Sequence, residues 1–179
     1  WFLNRWSCVP DKYVFWYGPA LRAARRLARE DRPDLIFVSL EPRTDSLVAA
    51  RLARETGIPM VLEYRDLWTG NPNFHLGTPT ALHAWWQAVL ERRALRSAAA
   101  VTCVCEGIRS RLAARFSLNL PMAVHTNFFD PDEYPAKTAR PANAERFVIA
   151  YLGALYGRRE PTAFLRGLAA FAQEKGPRT

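Results

Sequence analysis

From Tyr17 to Glu30, the apolar residues Tyr17, Ala20, Leu21, Ala24, Leu27 and Ala28 recur at helical spacing, while Arg22, Arg25, Arg26 and Arg29 fall on the other side. This predicts an amphipathic helix with a basic face. Pro33 and Asp34 then introduce LIFVS, a run of branched and aromatic residues that predicts a strand buried on both faces and ending at Ser39. The unit repeats as a helix over about Asp45 to Glu55, a Thr56-Gly57 stop, Pro59 and the strand MVLEY ending at Tyr64. Such alternation builds a parallel sheet.

The loop TGNPNFHLG runs to Thr78 and Pro79, which predict an N-cap and a first helical residue. The helix that follows is expected to turn Leu82, Trp85, Trp86, Val89, Leu90 and Leu95 to the core and Arg92, Arg93 and Arg96 outward. Next come the strand AAVTCV, a helix from about Glu106 to Phe116 and the strand MAVHT. Residues Asn127 to Glu145 hold three prolines and no helical or strand period, as an interdomain linker would. Beyond them FVIAYLG predicts a further buried strand, and Pro161 opens a helix carrying Phe164, Leu165, Leu168 and Phe171. The expected frame is a nearly whole α/β domain over 1–126, with a parallel sheet and helices on both faces. A linker over 127–145 and the first elements of a second domain over 146–179 complete it.

Composition narrows this picture in a few places. With 179 residues, 49% of them hydrophobic and 23% charged, the chain is long and apolar enough to bury a core without disulfides or a structural metal. The three cysteines, Cys8, Cys103 and Cys105, form no C-x-x-C pair and have no matching histidine spacing, which points to buried thiols in a reducing, cytoplasmic setting and away from zinc. His75, His83 and His125 show no ligand spacing and receive no role. No G-x-S-x-G elbow or Cys-His pairing signals a hydrolase. No apolar run is long enough to span a bilayer, and the opening WFLNRWSCVP has no signal-peptide pattern, so the start is expected to be cut rather than processed. The net charge of +8 is almost all arginine, since lysine occurs only at Lys12, Lys137 and Lys175. Phosphate-bearing partners, an anionic membrane surface and plain codon composition all fit that bias.

In an open parallel sheet, ligands bind beyond the carboxyl ends of the strands. The residues there are Ser39 to Asp45, Glu63 to Asn71, Asn127 to Asp130 and Gly153 to Arg159. Glu63, Arg65, Asp66 and Trp68 crowd one such end with charge and an aromatic ring. A structural reading stands beside the functional one, with Arg65 and Asp66 as an ion pair and Trp68 packed beneath the loop. Glu41, Arg43 and Asp45 make a second polar set, in which Thr44 or Asp45 is expected to cap the helix. In YLGALYGRREP, Gly153, Gly157, Arg158 and Arg159 sit between a strand and a helix start, where backbone N–H groups favour a diphosphate; a tight turn explains them as well.

Taken in order, PDLIFVSLEPRTDSLVAARLARETGIPMVLEYRDLW, LERRALRSAAAVTCVCEGIRSRL, NFFDPDEY and VIAYLGALYGRREPTAFL resemble a family-4 glycosyltransferase of the GT-B fold, over roughly Asp11 to Phe171. The more specific parts are RDLW and the G-x-x-x-G-x-R-x-P loop. The resemblance implies an acceptor-side Rossmann-like domain whose first strand would lie before Trp1, followed by the first elements of a second Rossmann-like domain for a nucleotide-diphosphate sugar donor. Transfer, retaining and hexosyl in most such enzymes, would go to a glycan or lipid-linked acceptor in polysaccharide or glycolipid assembly. No cofactor and no metal are implied, because basic residues and helix N-termini neutralise the departing diphosphate.

Carried over by position, Asp66 is the catalytic or positioning group, and Arg65 grips an acceptor phosphate. Glu41 and Arg43 line the acceptor cleft, Trp68 stacks on the substrate, and Gly153, Gly157, Arg158 and Arg159 bind the donor diphosphate. The chain departs from the family pattern at Phe128, where a glycine is usual, and at Ala154, where many relatives place an arginine. The glycine-rich first loop and the acidic pair that holds the donor sugar would lie outside the chain, so this chain alone is expected to be inactive.

Other readings cover some of the same residues. The basic helix face suits an anionic lipid surface at the inner face of the plasma membrane, and equally a plain solvated face. A nucleic-acid-binding module is disfavoured because the arginines are scattered over several helices, so no nucleic-acid partner is expected. A sugar-nucleotide epimerase of the same fold remains a closer rival.

Overall fold

The computed structural model describes residues 8–71, 80–117, 119–133, 148–155 and 160–175. Packing divides the chain into two units, Trp1–Asp130 and Pro131–Thr179. In the first, a short 3-10 turn at Val14–Trp16 leads into helix α1 (Tyr17–Glu30), strand β1 (Ile36–Ser39), α2 (Arg43–Thr56), β2 (Met60–Tyr64), α3 (Ala81–Ser97), β3 (Ala100–Cys103), α4 (Glu106–Phe116) and β4 (Met122–Val124). All neighbouring strands are parallel, in the order β1-β2-β3-β4. This is the Rossmann-like α/β architecture, and it agrees with a GT-B glycosyltransferase domain.

Local chemistry explains the element ends. Helix α2 stops where Gly57 adopts a left-handed φ of 69°, and its N–H reaches the Ala53 carbonyl at 2.8 Å. Pro59 then bars further helix and Met60 opens β2. Met60, Leu62 and Tyr64 of β2 pack with Ala49, Ala50 and Ala53 of α2, Ala94 and Leu95 of α3, and Leu112 and Phe116 of α4 in one core. Each large apolar side chain buried there contributes on the order of 1.5–3 kcal/mol. Helix α1 joins through Leu21, which meets Val48 and Leu52 of α2. One ion-pair cluster fastens the same two helices: Arg25 of α1 and Arg51 of α2 both donate to the Glu55 carboxylate, at 2.6 and 2.5 Å.

Four expectations are corrected. LIFVS is not buried on both faces: β1 is an end strand of the described sheet, and Phe37 is 58% exposed. The N-cap of α3 is Thr80, whose Oγ1 accepts the His83 N–H at 3.2 Å, while the expected cap at Thr78 and Pro79 lies outside the described residues. The buried face of α3 is not the tryptophan face, since Leu82, Trp85 and Trp86 are exposed and His83, Gln87, Glu91, Ala94 and Leu95 are buried. Of the thiols only Cys103 is buried, and Cys105 is exposed at the N-cap of α4.

In the second unit a 3-10 turn at Pro131–Glu133 and helix α5 (Thr162–Lys175) are described, the latter just after Pro161 as expected. The expected buried strand in FVIAYLG is absent from described residues 148–155, where Val148, Ile149, Tyr151 and Leu152 are all exposed. A strand needs a ladder partner for its N–H and C=O groups, and none is paired to this segment among the described residues. The residues of the expected linker from 134 to 145 lie outside the description.

Candidate functional site

The strands end together on one edge, and the ladder continues one residue past them. Leu40 donates its N–H to the Glu63 carbonyl at 2.8 Å, Val104 to Tyr64 at 3.1 Å and His125 to Cys103 at 2.7 Å. Adjacent loops therefore leave the sheet roughly 4.8 Å apart. Along this edge stand Glu41 and Arg43 after β1, Arg65 and Asp66 after β2, and Cys105 and Glu106 after β3.

In the β1 loop, Glu41 holds a left-handed φ of 87°, a conformation that costs a residue with a Cβ on the order of 1–3 kcal/mol. Its carboxylate accepts the Arg43 Nε–H at 3.1 Å, and Arg43 Nη1 donates to the Pro10 carbonyl at 3.4 Å. The expected capping by Thr44 or Asp45 is replaced by a distant residue. Asp11 accepts the Thr44 N–H at 3.0 Å and the Thr44 hydroxyl at 2.8 Å, placing a carboxylate on the positive end of α2. Asp45 sits in the first turn with Oδ1 buried and without a hydrogen-bond partner among the described residues. Burial, and then the charge of Asp11, raise its carboxyl above the ordinary range.

The β2 loop is built differently. Arg65 and Asp66 are both exposed and make no hydrogen bond or ion pair among the described residues, so the ion pair of the alternative structural reading is absent. Trp68 is 0% exposed: it packs into the core beneath the loop, as the structural reading has it, with no ring face open for substrate stacking. Its indole N–H donates to Gln87 Oε1 at 2.7 Å, and Gln87 Nε2 donates in turn to the Pro10 carbonyl at 2.9 Å. One turn along α3, the buried Glu91 carboxylate accepts the Tyr64 hydroxyl at 3.2 Å, the Thr69 N–H at 3.2 Å and the Thr69 hydroxyl. Burial pushes the Glu91 carboxyl up to about 6, against the pull of the Thr69 and Tyr64 hydrogen bonds and of Arg115 on α4. Gly70 ends the loop at a left-handed φ of 83°, where a Cβ would meet Arg115 Nη1 at 3.4 Å.

Between this loop and α4 lies an open cleft of about 350 Å³, lined by Leu67, Thr69, Gly70, Arg111, Leu112, Ala114 and Arg115. After β3, the Glu106 carboxylate accepts Arg109 Nη2 at 2.6 Å and the Ser110 hydroxyl at 3.1 Å, and the Arg109 guanidinium holds it below the usual carboxylate range. Gly153 lies in the described part of the second unit, whereas Gly157, Arg158 and Arg159 lie outside it. Among the described residues, no group of three or more His, Cys, Asp or Glu could hold a metal ion, and no helix is long and apolar enough to cross a membrane.

Asp11, Gln87 and Glu91 escaped the sequence reading. Gln87 and Glu91 carry a legible trace, being polar residues one helical turn apart in a helix otherwise rich in apolar side chains. Asp11 carries none, because its partner Thr44 lies far along the chain.

Exposed charges at the carboxyl edge of a parallel sheet, on loops anchored from within, are the setting in which α/β enzymes place their chemistry. Searches of the curated proteins and of the solved structures return no match. The glycosyl transferase 4-like domain family matches residues 3–128, more than half of the chain and nearly all of the sheet unit. The chain therefore belongs to the glycosyl transferase 4-like family and carries a glycosyltransferase domain.

Proposed function

We propose that this domain forms the acceptor side of a transferase that moves a hexosyl group, with retention, from a nucleotide-diphosphate sugar to a glycan or lipid-linked acceptor. The observation that carries the reading is the pair Arg65 and Asp66, exposed and unpaired among the described residues on a loop whose other side chains are anchored in the core. Asp66 would orient or deprotonate the acceptor hydroxyl. Arg65 would grip an acceptor phosphate, with Glu41 and Arg43 along the neighbouring loop. Gly153, Gly157, Arg158 and Arg159 would meet the donor diphosphate, without metal or cofactor.

A lipid-linked acceptor would bring the domain to the inner face of the membrane. On α1, Arg25 is committed to Glu55 and Arg26 pairs with Glu30 at 3.9 Å, which leaves Arg22 and Arg29 toward solvent, just after the exposed Phe15 and Trp16. Each basic side chain near an anionic surface contributes about 1 kcal/mol.

The test is Asp66→Ala in the full-length enzyme, assayed with radiolabelled nucleotide-diphosphate hexoses and a membrane lipid extract as acceptor. Turnover should fall by about 10²- to 10⁴-fold. A wild-type rate removes Asp66 from the chemistry, and an epimerised sugar nucleotide formed without any acceptor overturns transfer itself.

A further inference from the structure

Four donors and one carbonyl acceptor converge on two side chains of the buried face of α3. Gln87 takes the Trp68 indole N–H and gives its amide N–H to Pro10, while Glu91 takes the Tyr64 hydroxyl, the Thr69 N–H and the Thr69 hydroxyl. These contacts bracket Arg65 and Asp66 in the chain, since Tyr64 precedes them and Trp68 and Thr69 follow. The two exposed residues have no hydrogen bond of their own among the described residues, so their placement depends on the bracket.

We propose that Glu91, assisted by Gln87, is a positioning residue that sets how firmly the loop bearing Arg65 and Asp66 is closed onto the sheet edge. The significance for transfer rests on the function proposed above; the clamp itself does not. Three donors and no acceptor face the carboxyl group, an arrangement suited to its ionised form. The carboxyl group is nonetheless fully buried, with Thr69 of the loop bonded over it, and burial opposes that charge. Loop opening lifts the cover and lets water reach Glu91, returning its carboxyl from about 6 toward the ordinary 4.5. Protonation therefore favours the closed loop, and the loop opens more readily as pH rises through that interval.

Among the described residues, the titratable groups that face Glu91 are few. Tyr64 on β2 is pushed well above its ordinary range by burial and by Glu91 itself, and Cys103 on β3 is pushed up to about 11, mainly by burial, so both keep their protons. Arg92 on α3 and Arg115 on α4 flank the Phe116 ring at 5.5 and 5.6 Å. His83 lies about two turns up α3.

The test is hydrogen exchange of the Thr69 amide in the full chain, followed by NMR and corrected for intrinsic exchange. In the wild type the opening equilibrium should rise about 15-fold between about pH 4.5 and 7, and in E91Q it should be flat. H83Q should keep the wild-type profile. A flat or falling wild-type profile, an unchanged profile in E91Q, or its loss in H83Q overturns the assignment. Should E91Q fail to fold, T69V removes one donor, and the Glu91 carboxyl carbon should then titrate above its wild-type midpoint; an unmoved midpoint overturns the clamp. The expected exchange profile together with an epimerised sugar nucleotide formed without any acceptor would leave the clamp standing and sink the transfer reading alone.

Discussion

The loops after β1 and β2 leave the same edge side by side, yet they spend their charges differently. In the first, Glu41 and Arg43 bind each other, Arg43 also reaches Pro10, and Asp11 occupies the helix end behind them. In the second, the polar anchors are internal, with Trp68 and Thr69 held by Gln87 and Glu91, and Arg65 and Asp66 are left over. A charge already engaged in holding a loop must break a contact before it meets a ligand. A charge on a loop held from below meets it at no such cost, which is why the second loop is the better place for chemistry.

If internal anchoring is what distinguishes the second loop, its removal should give the largest stability loss. Glu91→Ala strands the Tyr64 hydroxyl and both Thr69 donors in a buried site, and urea unfolding should show a loss of about 3–5 kcal/mol. Next comes the charge of that anchor. The Glu91 carboxyl titrates near 6 in the fold against 4.5 ordinarily, so between those values the native state holds more protons than the unfolded chain. Stability should fall as pH rises through that window, by about 2 kcal/mol in total, and the slope should vanish in E91Q. Glu55, held down to about 2 by Arg25 and then Arg51, acts in the opposite sense and at lower pH, where its contribution is lost as pH falls below 4.5.

The first loop should respond more weakly. Asp11→Ala removes the cap of α2 and should lower the unfolding free energy by about 1–2 kcal/mol, measured by chemical denaturation. Smallest of all, a double-mutant cycle on Glu41 and Arg43 should give a coupling below about 1 kcal/mol that shrinks with added salt, since Glu41 is exposed. A larger coupling there than at Glu91 and Thr69 would invert the comparison.

Periodicity in the sequence was enough to place the helices of the sheet unit, because apolar spacing is a local property: α1 runs from Tyr17 to Glu30 as its pattern predicts. It failed where tertiary demand overrode hydrophobicity. Trp85 and Trp86 look like core residues of α3, yet the neighbouring loop needs acceptors for Trp68 and Thr69, and the helix turns Gln87 and Glu91 inward to supply them. Trp68 illustrates the converse, an aromatic ring that looks like a substrate platform beside charged residues and is instead the plug beneath them. The edge position of Arg65 and Asp66 was legible because a parallel sheet sends every strand end the same way. Their lack of mutual pairing was not, since it depends on side-chain directions that spacing does not encode.

The unequal burial of the thiols has a practical consequence. Cys103 is buried, with its thiol pushed up to about 11, whereas Cys105, two residues later, lies exposed at the N-cap of α4 on the very rim where the loops emerge. An alkylating fluorophore will therefore attach there in preference to Cys103, and a dye on that rim can report the arrival of a ligand at this edge without any foreknowledge of its identity.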